Sequence, residues 1–532
     1  MLSVSSLFAS KLGTNYSPPD EEITEIQALL VEPTLQLKQL DDEIADLHQA
    51  LDKLARERAG LSAYIDAHKA LLSPARRLPV DVLREIFTAC LPSHRNCVMS
   101  SSEAPILLGL VCSTWRAISL STPRLWSRLH IVEPVSPSDA LGVEAKKLAQ
   151  RIEATKTWLA RSGQCPLSIS MHCVSRTSGF TESGAQILQA LFPFASRWRH
   201  VAFSVNFPFL QSIARLAASD VPMLRSVSLD DLDSAVRAPL QPDSLGFVRG
   251  PTICSLHLTG WGLRSLRFPV QWNTIKHLSL VTRWGEHDPL TSEMTLQVFV
   301  RCPWLETCCL HISDRPGAES HARAEDPVIR LSLLHTLALE LTTPWLTVTQ
   351  LFGRLSFPRL KMLRLAGHNS QAEVSYAPLF SHVPFLEKLE ITLDLFTKAS
   401  LLSFLRDLPP DLSELKISEF DPGSRHAIFD DEILERLISS PDSATGTPRC
   451  AALQTLEIAY ATISDEALLR FIKSRKALLT RIVVGFGRDM ELDIRPALQS
   501  LLQDGLHLEL RYNPPPPLLS PWAGLADAAP IP

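Results

Sequence analysis

Three stretches decide the fold: residues 358–365 (PRLKMLRL), 384–391 (PFLEKLEI) and 410–417 (PDLSELKI). Each reads apolar, two others, apolar, one other, apolar, and successive copies start 26 residues apart. The last two apolar positions alternate with a polar one, as a short strand with one buried face requires. Working outward, the pattern recurs at Trp198-Val201-Phe203, Leu224-Val227-Leu229, Ile253-Leu256-Leu258, Ile275-Leu278-Leu280, Leu305-Cys308-Leu310 and Leu334-Leu337-Leu339. It continues after the central three at Leu453-Leu456-Ile458 and Leu479-Ile482-Val484, giving eleven copies, five of whose ten intervals are 26 residues. This L-x-x-L-x-L pattern and period are those of a leucine-rich repeat.

One repeat cannot bury its apolar face alone. The copies are therefore expected to stack as parallel strands inside a curved solenoid, with helices such as 400–408, 431–439 and 465–473 outside. The long interval before Leu453 holds a polar insertion, 418–449, whose Asp430, Asp431 and Glu432 suit an outer helix N-terminus. The residue between the last two apolar positions faces away from the core. It is small and nearly uncharged from Ala202 to Ala338, then runs Arg364, Glu390, Lys416, Glu457. Neighbouring parallel strands lie about 4.8 Å apart. Two readings stay open: a charge ladder satisfied within itself, or a substrate surface formed by this row together with Lys388, Glu414 and Arg481.

Upstream, Leu37, Ile44, Leu51, Arg58, Ile65 and Leu72 are spaced by seven, as are Leu40, Leu47, Leu54, Leu61 and His68. Their interleaving makes a seam of period 3.5 over residues 35–73. It is either a dimerising coiled coil, making a homodimer through 35–72, or one amphipathic helix folded back on its own chain.

Between seam and repeats, residues 78–129 read as short helices. Pro79 starts the first, with Val82, Leu83, Ile86, Phe87 and Cys90 on an apolar stripe. After a polar loop, 92–102, come Leu107, Leu108, Leu110, Val111, Trp115 and Ile118, then Pro123, Leu125, Trp126 and Leu129. That is more apolar surface than some fifty residues can bury, so a partner is expected. The segment resembles an F-box, in Leu78-Pro79, Leu83-Arg84-Glu85-Ile86-Phe87, Val111-Cys112-Ser113-Thr114-Trp115-Arg116 and Leu125-Trp126. A heptad helix directly before it resembles the large F-box families of fungi. The resemblance implies docking on a Skp-type adaptor and so on a cullin–RING ubiquitin ligase. Its contact positions would be Leu78, Pro79, Leu83, Ile86, Leu107, Leu110, Val111 and Trp115, with Phe87, Ile118 and Trp126 as internal core.

The expected fold class is α plus α/β: a heptad helix, a small helical F-box, then a leucine-rich-repeat solenoid. The expected divisions are a disordered leader (1–34), coiled-coil helix (35–73), F-box (74–131), linker and first irregular repeat (132–195), solenoid (196–511) and proline-rich disordered tail (512–532). The expected function is substrate recruitment to an SCF-type ligase, the alternative being a non-ligase scaffold that binds through coiled coil and repeats.

The composition narrows the remaining classes. The formal charge of −5 over 532 residues lacks the basic surplus of a general nucleic-acid binder. No apolar run is long enough to span a membrane, and the N-terminus lacks a basic n-region, so no signal peptide is expected. The ten cysteines form no CxxC pair and read as reduced, buried thiols of a cytoplasmic or nuclear protein. His94 and Cys97 lack a second ligand pair at zinc spacing. No phosphate-loop, metalloprotease or nucleophile-elbow motif occurs, and the sixteen histidines are scattered. No catalytic residue, metal or cofactor is expected. Proline is abundant, at 39 residues, and glycine scarce, at 21. Pro222, Pro251, Pro303, Pro358, Pro384 and Pro410 each stand two residues before a repeat's first apolar position, where proline ends one outer segment and feeds the next strand.

Overall fold

A computed structural model of the chain describes residues 7–512 except 73, 135–140, 174–182, 206, 233–241, 283–289, 315–327, 343–349, 368–376, 419–427, 439–449 and 451. The proline-rich tail and most of the 418–449 insertion lie outside the described residues. The chain divides into two units, Met1–Leu83 and Arg84–Pro532.

The first unit is dominated by helix α1, Asp20–Leu71. It begins fifteen residues before the expected start of the seam at 35. Pro18 and Pro19 stop the preceding chain, and Asp20, Glu21 and Glu22 complement the helix dipole in the first turn. The helix runs through Pro33, which forfeits a backbone hydrogen bond. Part of the expected leader is thus ordered: Lys11 Nζ pairs with Glu22 at 3.0 Å, and Tyr16 OH donates to the same carboxylate at 3.1 Å. The seam residues Leu37, Leu40, Ile44, Leu47, Leu51, Leu54, Leu61, Ile65 and Leu72 are all exposed.

The second unit is a repeat solenoid built on one parallel sheet of 14 strands. In chain order these are β1 (Arg128–Val132), β2 (Leu167–His172), β3 (Trp198–Val205), β4 (Ser226–Asp231), β5 (Ser255–Thr259), β6 (His277–Val281) and β7 (Thr307–Ile312). They continue as β8 (Thr336–Leu341), β9 (Met362–Gly367), β10 (Lys388–Thr392), β11 (Glu414–Ser418), β12 (Thr455–Ala461), β13 (Arg481–Phe486) and β14 (His507–Arg511). Each strand pairs only with its predecessor and successor, so spatial order equals sequence order. All eleven expected copies fall on β3–β13 in one register, and their apolar positions are buried.

Three strands were not expected. β1 lies inside the 74–131 segment, and 132–195 is no linker: it holds helix Leu141–Arg161, β2 and helix Ser183–Leu191. In the register of the ladder, Pro166 and Gly505 occupy the leading apolar slot of β2 and β14. That is why their spacing escapes the pattern. β1 does carry it, as Trp126-Leu129-Ile131, all three buried.

The prolines act in the turn before each strand. Leu224 N–H donates to Val221 O at 3.1 Å and Leu360 N–H to Phe357 O at 3.3 Å, which puts Pro222 and Pro358 at the second position of a four-residue turn. Proline's fixed φ suits that position. Where the interval is long, the outer return is an α-helix, as in Ser292–Arg301, Lys398–Arg406, Asp431–Ile438 and Asp465–Ser474. Between Ile253 and Ile275 the interval is 22 residues, and only 3-10 turns fit (Gly262–Arg267, Trp272–Thr274).

Both ends of the sheet are sealed. At the start, the loop after the second helix runs alongside β1. His130 N–H donates to Cys97 O at 2.7 Å, and Asn96 Oδ1 and Nδ2 bridge Ser168 and Ser170 of β2 at 2.9 and 3.0 Å. An uncovered strand edge would invite pairing with another chain, and this loop blunts it. At the far end, Asp465 is buried and accepts from Arg488, from the Leu492 N–H at 2.9 Å and from Tyr512 OH at 2.8 Å. Burial alone would raise its pKa, but these donors hold the carboxyl below its ordinary value.

Candidate functional site

Helix α2, Val80–Ala89, is followed by α3, Ile106–Val111, and α4, Ser113–Leu120. Cys112 separates α3 from α4 in extended conformation, its sulfur accepting from Trp115 N–H at 3.4 Å. Arg116 Nε donates to Gly109 O at 2.8 Å and ties α4 back to α3. The lower side is a packed core of Phe87, Leu108, Ile118, Leu125 and Trp126, all buried, with Trp126 Nε1 donating to Ser119 O at 2.8 Å. Phe87, Ile118 and Trp126 thus stand where the sequence reading put them.

The other side of α3 is uncovered. Leu107, Leu110 and Val111 are exposed, the last two at 56% and 58%, as is Ile86. Trp115 is half-buried against Phe87, ring centroids 4.8 Å apart. In the first unit, Leu78, Pro79, Val80 and Val82 are exposed. Leu83 departs from the expected contact set: it is buried at 5% and belongs to the core. Its side chain follows the inward stripe of α2 with Phe87, one helical turn on.

On the solenoid, the residues facing away from the core form one continuous row across all fourteen strands. It starts His130, Ser170, Ala202, Ser228, His257 and ends Arg364, Glu390, Lys416, Glu457, Val483, Glu509. The six substrate-surface candidates are paired among themselves. Arg364 lies 3.6 Å from Glu390, Lys416 lies 3.9 Å from Glu390 and 3.7 Å from Glu457, and Lys388 reaches Glu414 at 2.6 Å. This is the geometry of the self-satisfied ladder. Such half-exposed pairs contribute about 0–1 kcal/mol each. Glu390→Gln is therefore expected to move the urea midpoint by less than about 1 kcal/mol in free energy. The acidic start of the insertion is likewise engaged: Lys398 meets Asp430 at 2.5 Å and Glu432 at 2.8 Å, and Asp431 accepts from Ser464 N–H and Oγ at 2.6 and 2.7 Å.

The first strands carry a histidine-rich open face. His130 Nδ1 and Ser170 Oγ are 2.9 Å apart, in a shallow cleft of about 350 Å³ that also takes in His172 and Asp230. Partial desolvation by neighbouring strands pushes the imidazoles of His130, His200 and His257 below their ordinary pKa. His172 and Arg95 add to this at His130, and Arg199, Arg225 and Arg128 add at His200, while Asp230 opposes it at His257. Above about pH 6.5 all three are neutral in folded and unfolded chain alike. Below it the unfolded chain takes up protons that the folded one resists, so stability falls. The urea midpoint is expected to be lower at pH 5.5 than at pH 7.5, and the His130→Gln, His200→Gln, His257→Gln variant should show a smaller drop.

All ten cysteines are free thiols. Five of them (Cys97, Cys173, Cys302, Cys308 and Cys450) are buried, but Cys90 and Cys112 are exposed, which corrects the expectation of buried thiols throughout. Among the described residues, no group of three or more His, Cys, Asp or Glu is placed to hold a metal ion, and no helix is long and apolar enough to cross a membrane.

No protein-family model matches the chain, and no curated protein matches it. Among solved structures it is similar to a chain in the complex of Rad7 and Elc1 from yeast, at 12% identity and a TM-score of 0.38, covering 82% of this chain and 95% of that one. It is also similar to a protein from Bacteroides fragilis, at 13% identity and a TM-score of 0.25, covering 66% of this chain and 72% of that one. The class defined by the strand ladder is a parallel-stranded repeat solenoid led by short helices.

Proposed function

We propose that this chain is a substrate-recruiting adaptor of an SCF-type cullin–RING ubiquitin ligase, its 78–129 segment docking a Skp-type adaptor and its repeats holding a protein substrate. The observation that supports this reading is the uncovered side of α3. A six-residue helix with three exposed apolar side chains, braced from beneath by an aromatic core, is the kind of surface that stable interfaces bury. The chain itself does no chemistry in this reading; it raises the local concentration of substrate beside a ubiquitin carrier. The test is co-purification of the full chain with a Skp-type adaptor and a cullin. Failure to retain the adaptor would leave the scaffold reading, in which α1 and the sheet face do the binding.

The exposed seam of α1 supports a second copy of this chain as its partner. In a parallel pairing the flanking positions set Glu43 against His48 and Tyr64 against Lys69, and bring no like charges together. Sedimentation equilibrium of the full chain is expected to give a dimer at micromolar concentration. A strict monomer overturns this pairing.

A further inference from the structure

A second surface stands apart from both the uncovered helix and the charge ladder. A cleft of about 700 Å³ opens where the loop after α2 meets the first three strands, and Arg124, Arg128, Arg199, His200, Ser127 and Ser168 line it. Arg128, Ser168 and His200 are register partners on β1, β2 and β3. Arg199 is there through a bulge. Leu167 pairs with Trp198 and Ser168 with His200, so Arg199 is the extra residue on β3 with no opposite number. Bulges of this kind re-aim a side chain. Arg225 follows immediately before β4, its N–H taking the Arg199 carbonyl at 2.9 Å.

The charge in this cleft is not balanced. Arg124 has Glu85 at 3.3 Å, both side chains largely exposed. Arg128 donates to a neutral group, the Arg95 carbonyl, at 2.6 Å. Among the described residues, Arg128, Arg199 and Arg225 have no carboxylate at ion-pairing distance. Arg199 Nε is buried without a hydrogen-bond partner. A buried guanidinium N–H left unsatisfied is costly, and its planar fork fits the oxygens of a phosphate.

We propose that this cleft binds a phosphate monoester dianion, held by Arg199 and Arg128 with Arg225 at its rim and the Ser127 and Ser168 hydroxyls donating to its oxygens. Nothing in it depends on the adaptor reading, because it rests on the bulge and the unpaired guanidinium groups alone. A free small phosphate and a phosphorylated side chain present the same chemistry to these groups.

The test titrates the full chain with inorganic phosphate and with O-phospho-L-serine, against chloride at matched ionic strength, read by calorimetry and by 31P line broadening. Saturable binding is expected, weakened about tenfold or more in Arg199→Gln, as the loss of a charge-assisted hydrogen bond implies. Arg225→Gln, at an exposed position where folding is not at risk, should weaken it as well, and Arg406→Gln on the outer face should not. Phosphoserine binding more tightly than inorganic phosphate points to a phosphorylated chain as the source; the reverse order points to a free anion; both support the site. A response no greater than that to chloride, or binding unchanged in both Arg199→Gln and Arg225→Gln, overturns it.

Discussion

The Leu110→Asp, Val111→Asp double variant is expected to lose a Skp-type adaptor, with affinity falling at least about 100-fold. Both side chains are more than half exposed on α3, so folding does not need them, and the core beneath (Leu108, Ile118, Trp126) is untouched. At the centre of an apolar interface each truncation costs about 2 kcal/mol or more, and each 1.4 kcal/mol is a factor of ten. Two carboxylates desolvated against an apolar partner add to that loss. The measurement is a titration of full chain against purified adaptor, with thermal unfolding run in parallel. Leu478→Asp, at an exposed apolar position on the far repeats, is the control and should bind as the parent does. Undiminished binding by the double variant, with folding intact, would remove the adaptor surface from α3.

Gly367→Ala should have the largest effect on stability, about 3–5 kcal/mol. Gly367 ends β9 at φ +137°, a conformation that L side chains rarely adopt. A Cβ there would fall onto the Leu341 carbonyl oxygen and within 2.8 Å of the Leu341 carbonyl carbon and amide nitrogen. Those atoms are backbone of the adjacent strand and cannot swing aside. On the other flank, Gly367 N–H donates to the Thr392 hydroxyl at 3.1 Å, so relief on one side breaks a contact on the other. The defect should stay local, since each repeat touches only its neighbours. Hydrogen exchange is the measurement that distinguishes this. Amides of β8–β10 should lose protection while those of β2–β4 keep theirs. Uniform protection in the variant would show that the sheet accommodates the methyl group.

What could be read beforehand followed from how far each signal reaches along the chain. A strand with one buried face must alternate, and a solenoid must repeat, so residues within six positions of one another marked β3–β13 and their register. The same locality explains the core of the helical segment, where Phe87, Ile118 and Trp126 fall on inward faces set by helical spacing. Leu83 was misplaced because spacing tells which side chains share a face, not which faces find cover.

β2 and β14 have strand partners but not the pattern, since Pro166 and Gly505 take the leading slot, and only pairing with an adjacent repeat makes them strands. The loop at 92–102 reads as polar filler, yet Asn96 and Cys97 close the sheet edge some thirty to seventy residues away in sequence. The pairing of Arg364, Glu390 and Lys416 needed the ladder's register before it could be told from an open surface. The arginine cleft is the furthest from legible. Arg128, Arg199 and Arg225 are unremarkable in sequence, and a one-residue bulge between β2 and β3 brings them together. Sequence by itself determined the period, the buried face and the class of fold, because those are local consequences of alternation and stacking. Tertiary structure alone decided which polar groups are satisfied and which are left waiting, because satisfaction depends on neighbours that the chain reaches only by folding.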